Sequence, residues 1–106
     1  MDPSKPFKAL SISELRDGMN GVVIEGKVTG KGSPRQARSK KRGEMLTVAN
    51  ATLEDESGSV VLVLWNEQVD HVSAGDRVRV ENGYIGSYQG TLQLTIGKFG
   101  KLVFPM

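Results

Sequence analysis

The chain has only six aromatic residues, and three of them stand where a flat ring is useful. Trp65 ends the apolar run that begins at Val60, and Tyr84 and Tyr88 precede the turn at Gln89-Gly90. Unpaired nucleic-acid bases stack on such rings, at roughly 1–3 kcal/mol per base, and every base offers a face for it. If Val60, Leu62 and Leu64 point into a core, then Val61, Val63 and Trp65 point out of it. A solvated face is seldom that apolar, which favours a ligand platform on the outer side. Tryptophan at a strand end is also a common core residue, and parity alone leaves both placements of Trp65 open.

A second group of residues carries charge. Lys31, Arg35, Arg38, Lys40, Lys41 and Arg42 fall in one stretch without an acid, so the rest of this chain of net charge +2 is net acidic. A basic segment on an otherwise acidic protein suits a directed contact with a polyanion such as a phosphate backbone. A charge run is equally readable as a solvated loop. Lys27, Arg77 and Arg79 lie in strand-like segments and are further candidates for phosphate contacts.

Most catalytic chemistries lack their residues. The chain has no cysteine, which excludes disulfides, thiolate metal sites and thiol nucleophiles and suits a reducing cytoplasm. His71 is the single histidine, so a histidine metal site has no second ligand and a triad has no choice of base. The glycines from Gly26 to Gly32 do not end in the Gly-Lys-Ser/Thr of a phosphate-binding loop. Glu54 and Glu56 sit in a turn signal, where acids are more readily solvated turn formers than metal ligands because nothing nearby completes a cage. No enzyme activity, metal or cofactor is expected. No apolar run approaches the roughly 20 residues of a membrane span, and Met1 to Leu10 lacks the apolar core of a signal peptide.

The elements that must hold these residues are short strands. With 106 residues the chain is read as a tail over 1–10 and one domain over 11–106. Ser11 to Arg16 predicts one helical turn, with Ser11 and Glu14 as a capping box and a stop at Gly18. Alternation predicts a strand at Val22 to Val28, with Val22, Ile24, Gly26 and Val28 inward and Gly26 at a sharp bend. Gly30, Gly32, Ser33 and Pro34 mark the basic segment as a loop. Further strands are predicted at Met45 to Leu53, Val60 to Trp65, from Arg77 with Val78 and Val80 inward, and at Leu92 to Ile96. A bulge at Asn82-Gly83 would reset which residues face outward, and only one helical turn fits between Asn66 and Ala74. Five short strands without a long helix imply an all-β, five-stranded antiparallel barrel with a short N-terminal helical turn.

Two segments then carry a resemblance. Leu53-Glu54-Asp55-Glu56-Ser57-Gly58-Ser59-Val60-Val61-Leu62-Val63-Leu64-Trp65-Asn66 resembles the strand-turn-strand signature of single-stranded DNA-binding OB folds. Gly75-Asp76-Arg77-Val78-Arg79-Val80-Glu81-Asn82-Gly83-Tyr84, followed by Tyr88-Gln89-Gly90-Thr91-Leu92-Gln93-Leu94, is similar to the same family, and Leu15-Arg16-Asp17-Gly18-Met19 matches more weakly. The family includes archaeal single-OB proteins, their eukaryotic counterparts in the sensor-of-single-stranded-DNA complex, and replication protein A. The resemblance implies an OB-fold barrel whose base-stacking tryptophan is Trp65 and whose hairpin aromatics are Tyr84 and Tyr88. The first of those is often tryptophan in relatives, so Tyr84 is a smaller platform.

The expected function is non-catalytic binding and protection of single-stranded DNA in replication, recombination or repair. Trp65, Tyr84 and Tyr88 are expected to stack bases, with Val61, Val63 and Gln93 lining the groove. Phosphates are expected at Lys27, Lys31, Arg35, Arg38, Lys40, Lys41, Arg42, Arg77 and Arg79. The setting implied is cytoplasmic and nucleoid-associated, as a monomer, with replication or repair proteins as partners. An RNA-binding module fits the same face, and a subunit contact in a larger assembly fits its apolar strand.

Overall fold

The computed structural model of the chain describes residues 9–38 and 43–104, with the backbone alone at 97–99. Among the described residues the alternating segments form six strands: β1 (Asn20–Lys31), β2 (Arg35–Arg38), β3 (Met45–Asp55), β4 (Gly58–Trp65), β5 (Arg77–Tyr88) and β6 (Thr91–Val103). A 3₁₀ turn at Ile12–Glu14 precedes them, and a single helical turn, α1 (Glu67–His71), joins β4 to β5. Strands β1, β5, β6, β4 and β3 follow one another around a barrel, which closes because β1 also pairs with β3.

Two features differ from the expectation. The barrel is mixed rather than purely antiparallel, because β4 and β6 run parallel. One strand, β5, separates them in the chain, and its reversal returns β6 to the direction of β4. The second difference is that Arg35–Arg38, read as loop, is strand β2, paired with Met45 to Val48. Strand β1 ends its pairing with β3 at Lys31 opposite Ala51, so the first half of β3 has a free edge. The edge recruits a segment of weak intrinsic strand preference, as sheet context commonly does.

Alternation places the core as predicted. Ile24, Val28, Leu53, Leu62, Leu64, Val78, Val80, Ile85 and Leu94 are fully buried inside the barrel. Ile12 and Leu15 at the N-terminal turn, and Val69 of α1 with Val72 just after it, cover it at opposite ends of β4. Phe104, which follows β6, is exposed.

Closure depends on Gly26. Here β1 passes from its β5 partner, with Gly26 opposite Val78, to its β3 partner, with Lys27 opposite Glu54. A Cβ at Gly26 would lie 2.6 Å from the Glu54 carbonyl oxygen, closer than any side chain tolerates. The bulge predicted at Asn82-Gly83 is present as well. Asn82 has φ of 56°, and register with β6 breaks between Glu81 and Gly83. Register with β1 breaks at the same level, between Val22 and Ile24. Before the break Arg77, Arg79 and Glu81 face outward; after it Tyr84, Gly86 and Tyr88 do. At Gln89-Gly90 both residues have positive φ, 51° and 80°, as a two-residue hairpin turn requires.

The β3–β4 turn pins the N-terminal turn in place. Asp55 Oδ2 accepts the Ile12 N–H at 2.8 Å, while Oδ1 accepts the Ser57 N–H at 2.7 Å, the Ser57 hydroxyl at 2.6 Å and the Gly58 N–H at 3.1 Å. The Ser11 N–H in turn donates to Glu14 Oε2 at 2.8 Å, one half of the expected capping box. Burial opposes the charge on Asp55, but the hydrogen bonds from Ser57, Ile12 and Gly58 outweigh it and hold the carboxyl below its ordinary pKa.

Two outcomes follow from these contacts. Gly26→Ala is expected to destabilise the barrel by about 2 kcal/mol or more, since backbone must move to admit the methyl; a melting temperature equal to the wild type's would contradict this. Asp55→Asn is expected to lose about 1–3 kcal/mol at neutral pH. Because the folded pKa of Asp55 is depressed, its stabilisation is full at neutral pH. It declines as pH falls through the ordinary carboxylate range and is gone below the folded pKa. Denaturant titrations of the two proteins should therefore diverge at pH 7 and converge in acid.

Candidate nucleic-acid interface

Side chains opposite one another in a ladder share a face, and the registers of β2 to β6 assemble one continuous outer surface. Trp65 stands in a row with Val48 and Arg35. Val63, Asn50, Thr95 and Tyr84 form the next row, and Val61, Thr52, Gln93 and Gly86 the one after. Thr91 and Tyr88 pair at the hairpin end. With strands about 4.8 Å apart and same-face residues about 6.7 Å apart, Trp65, Tyr84 and Tyr88 are separated by roughly 12–13 Å between successive Cα atoms. This surface suits an extended ligand rather than a compact one.

The rings are reachable from solvent. Tyr84 is 46% exposed and Tyr88 63%, and Trp65 is half-buried. Gly86 explains the pose of Tyr84: a Cβ there would sit 3.4 Å from the phenol oxygen and 3.8 Å from Cζ. The tyrosine therefore lies down along its own strand over the glycine instead of standing upright. Val61 is partly exposed, whereas Val63 faces outward yet is only 6% exposed, so it is the floor between Trp65 and Thr95. Asn50, beside Val63, has its Oδ1 shielded from solvent with no hydrogen-bond partner among the described residues. Such a group is uncommon unless something else completes it.

The cations divide. Arg35 shares the face of Trp65 through Val48, whereas Arg38, opposite Met45, has the other parity and turns to the reverse side of the hairpin. Lys31 reaches α1, where its ammonium donates to the Val69 carbonyl. Arg79 is held by Glu25 at 2.7 Å and Glu81 at 2.9 Å. Lys27 lies opposite Arg77 across β1–β5 and opposite Glu54 across β1–β3, on the flank of the barrel beyond the aromatic face. Lys40, Lys41 and Arg42 lie outside the described residues.

The structure thus brings Trp65, Tyr84, Tyr88, Val61, Val63, Gln93 and Arg35 together and puts Lys27, Lys31, Arg77 and Arg79 elsewhere. The reading of isolated strands missed Asn50, Thr52, Gly86 and Thr95. Their signal was present as polar or small residues at outward parity, but only the register shows that they share the face. His71 is exposed, and the described residues contain no cluster of three or more potential metal ligands. No helix among them is long and apolar enough to cross a membrane.

Comparison with known proteins agrees with this geometry. The family model "Single-stranded DNA binding protein Ssb-like, OB fold" matches residues 17–104. The chain is 28% identical over 91 residues to the single-stranded DNA binding protein Ssb of Saccharolobus solfataricus, covering 86% of this chain and 60% of that protein. It is also 28% identical over 103 residues to replication factor A of Methanothermobacter thermautotrophicus, covering 96% of this chain and 13% of that protein. The chain therefore spans well under two thirds of the length of either relative. Among solved structures, an OB domain from Thermoplasma acidophilum superposes with a TM-score of 0.79 at 21% identity, covering 92% of this chain and 86% of the other. A replication factor A-related protein from Methanobacterium thermoautotrophicum gives 0.75 at 23% identity, covering 99% and 96%.

Proposed function

Because the chain belongs to the Ssb-like OB-fold family of single-stranded DNA binding proteins, we propose that it binds and protects single-stranded DNA by stacking bases on Trp65, Tyr84 and Tyr88. The observation that carries this reading is the single outward face shared by the three rings, with exposed tyrosines and an apolar floor at Val61 and Val63. Stacking is tolerant of sequence, as protection of arbitrary strands in replication, recombination or repair demands. The relatives' names associate them with single-stranded DNA and replication, which supports the same role here. The family is one of binders, and the reading needs no catalytic step.

Phosphates complete the site. Arg35 stands beside Trp65 at the edge of the face, and the β2–β3 hairpin that carries it also carries Arg38, Lys40, Lys41 and Arg42. Arg35 contacts the backbone of a strand whose bases lie on the rings, and the cations that follow Arg38 in the sequence extend that contact, while Arg38 itself faces the reverse side. Arg79 does not, because two carboxylates already satisfy it. Asn50 offers a polar contact to a base at the centre of the face.

Oligo-dT of the 4–16 nucleotides that an OB fold covers should quench Trp65 fluorescence. Trp65→Ala should weaken binding by about 1–3 kcal/mol without unfolding the domain. Gly86→Val keeps Tyr84 but takes the space of its phenol, and should weaken binding in the same direction. Unchanged emission at saturating oligonucleotide would overturn the stacking role. Oligo-rU binding more tightly than oligo-dT would move the assignment to RNA, and no binding to either would leave the apolar face as a protein contact.

Salt dependence separates the phosphate contacts. Each one contributes about 0.7 to the slope of log affinity against log salt. Arg35→Ser should reduce that slope by about 0.7, and replacing Arg38, Lys40, Lys41 and Arg42 by Ser should reduce it by roughly 1.5–2. Arg79→Ser should leave it unchanged. A wild-type slope in both of the first two variants would exclude the hairpin from the contact.

A further inference from the structure

The parallel ladder between β4 and β6 has only three rungs, Val61 with Gln93, Leu62 with Leu94 and Val63 with Thr95. Before these rungs Ser59 and Val60 pair with β3 alone, and Thr91 and Leu92 pair with β5 alone. The two strand ends diverge and open a recess of about 390 Å³ in the barrel wall. Its apolar lining comes from Ile12, Val61 and Leu92, and three hydroxyl residues, Thr52, Ser59 and Thr91, stand around it. None of those hydroxyls has a hydrogen-bond partner among the described residues. Backbone groups that the two strand ends turn toward each other likewise have no rung between them, and unpaired ladder groups are ready donors and acceptors.

The recess is continuous with the aromatic face. Val61 and Thr52 belong to the same row as Gln93 and Gly86, and Thr91 is directly opposite Tyr88. A strand lying on Trp65 and Tyr84 therefore reaches the recess at its Tyr88 end. A slot with apolar walls and unpaired hydroxyl and backbone groups has the chemistry of a nucleobase site: the walls contact the faces of the ring, and the polar groups meet its edge.

We propose that the split between β4 and β6 is a base-reading pocket that admits one nucleobase of the bound single strand beside Tyr88. The proposal rests on the single-strand-binding reading above. It adds selectivity at one nucleotide to a surface whose stacking contacts are otherwise indifferent to sequence. Ser59, Thr52 and Thr91 are its specificity-determining residues.

The test uses the full chain and the shortest oligo-dT that saturates Trp65 quenching. Thymidines are replaced one at a time by dC and by dA, which preserve stacking, and affinity is measured by anisotropy. At one position near one end of the oligonucleotide, a changed base should weaken binding by about fivefold, the scale of one hydrogen bond, whereas the stacked positions tolerate the change. Ser59→Phe fills the split and should abolish that dependence while retaining Trp65 quenching. Thr52→Val, which removes one hydroxyl at nearly constant volume, should reduce it and serves if the larger side chain perturbs the fold. Equal affinities at every position in the wild type would overturn the pocket, as would positional dependence that persists in both variants. In those cases quenching of Trp65 persists, so the stacking face stands without the pocket. Absence of quenching by any oligonucleotide would overturn both.

Discussion

The passage of β1 beneath the Glu54 carbonyl at Gly26 is the contact on which the remaining architecture depends. One strand must serve two partners, β5 along its first half and β3 along its second, and a strand can change partners so abruptly only where it carries no side chain. With β1 bent there, the sheet closes and the alternating apolar residues of five strands meet inside it. With β1 straight, β3 would keep a free edge along its second half, and the inner faces of β3 and β4 would lose their cover. The Asp55 cluster reinforces the same corner, since it ties the β3–β4 turn to the N-terminal residues that plug the barrel end.

Closure also decides what the outer surface can be. The break at Asn82-Gly83 changes the parity of β5, so that its first half displays Arg77, Arg79 and Glu81 and its second half Tyr84 and Tyr88. Without that extra residue the tyrosines would point into the barrel against Leu94, and Ile85 would turn out to solvent. Gly86 then removes the one outward side chain that would lift Tyr84 off the sheet. A surface set by backbone register is formed in the folded chain itself and needs no rearrangement to present its rings.

Charge follows the same geometry. Among the described residues the ion pairs are those of Arg79 with Glu25 and Glu81, and Lys31 is tied to α1. Arg35 on the β2–β3 hairpin differs in place, because it belongs to the row of Trp65, and no ion pair holds it among the described residues. An unpaired cation therefore stands at one border of the aromatic face. The split between β4 and β6 lies at its other end, beside Tyr88.

Much of this was legible in the residue order. Two-residue periodicity placed Ile24, Val28, Leu53, Leu62, Leu64, Val78 and Val80 inside, because side chains on a strand alternate by geometry alone. The turn residues marked the Gln89-Gly90 hairpin and the interruption at Asn82-Gly83, since glycine and asparagine are the residues that accept positive φ. What could not be read was anything that depends on which strand lies beside which. The strand at Arg35–Arg38, the parallel β4–β6 pair, the commitment of Arg79 and Lys31 to partners distant in sequence, and the shared face of Asn50, Thr52 and Thr95 all follow from register between separated segments. Local sequence determines which side of its own strand a residue occupies; only closure of the barrel decides what that side meets.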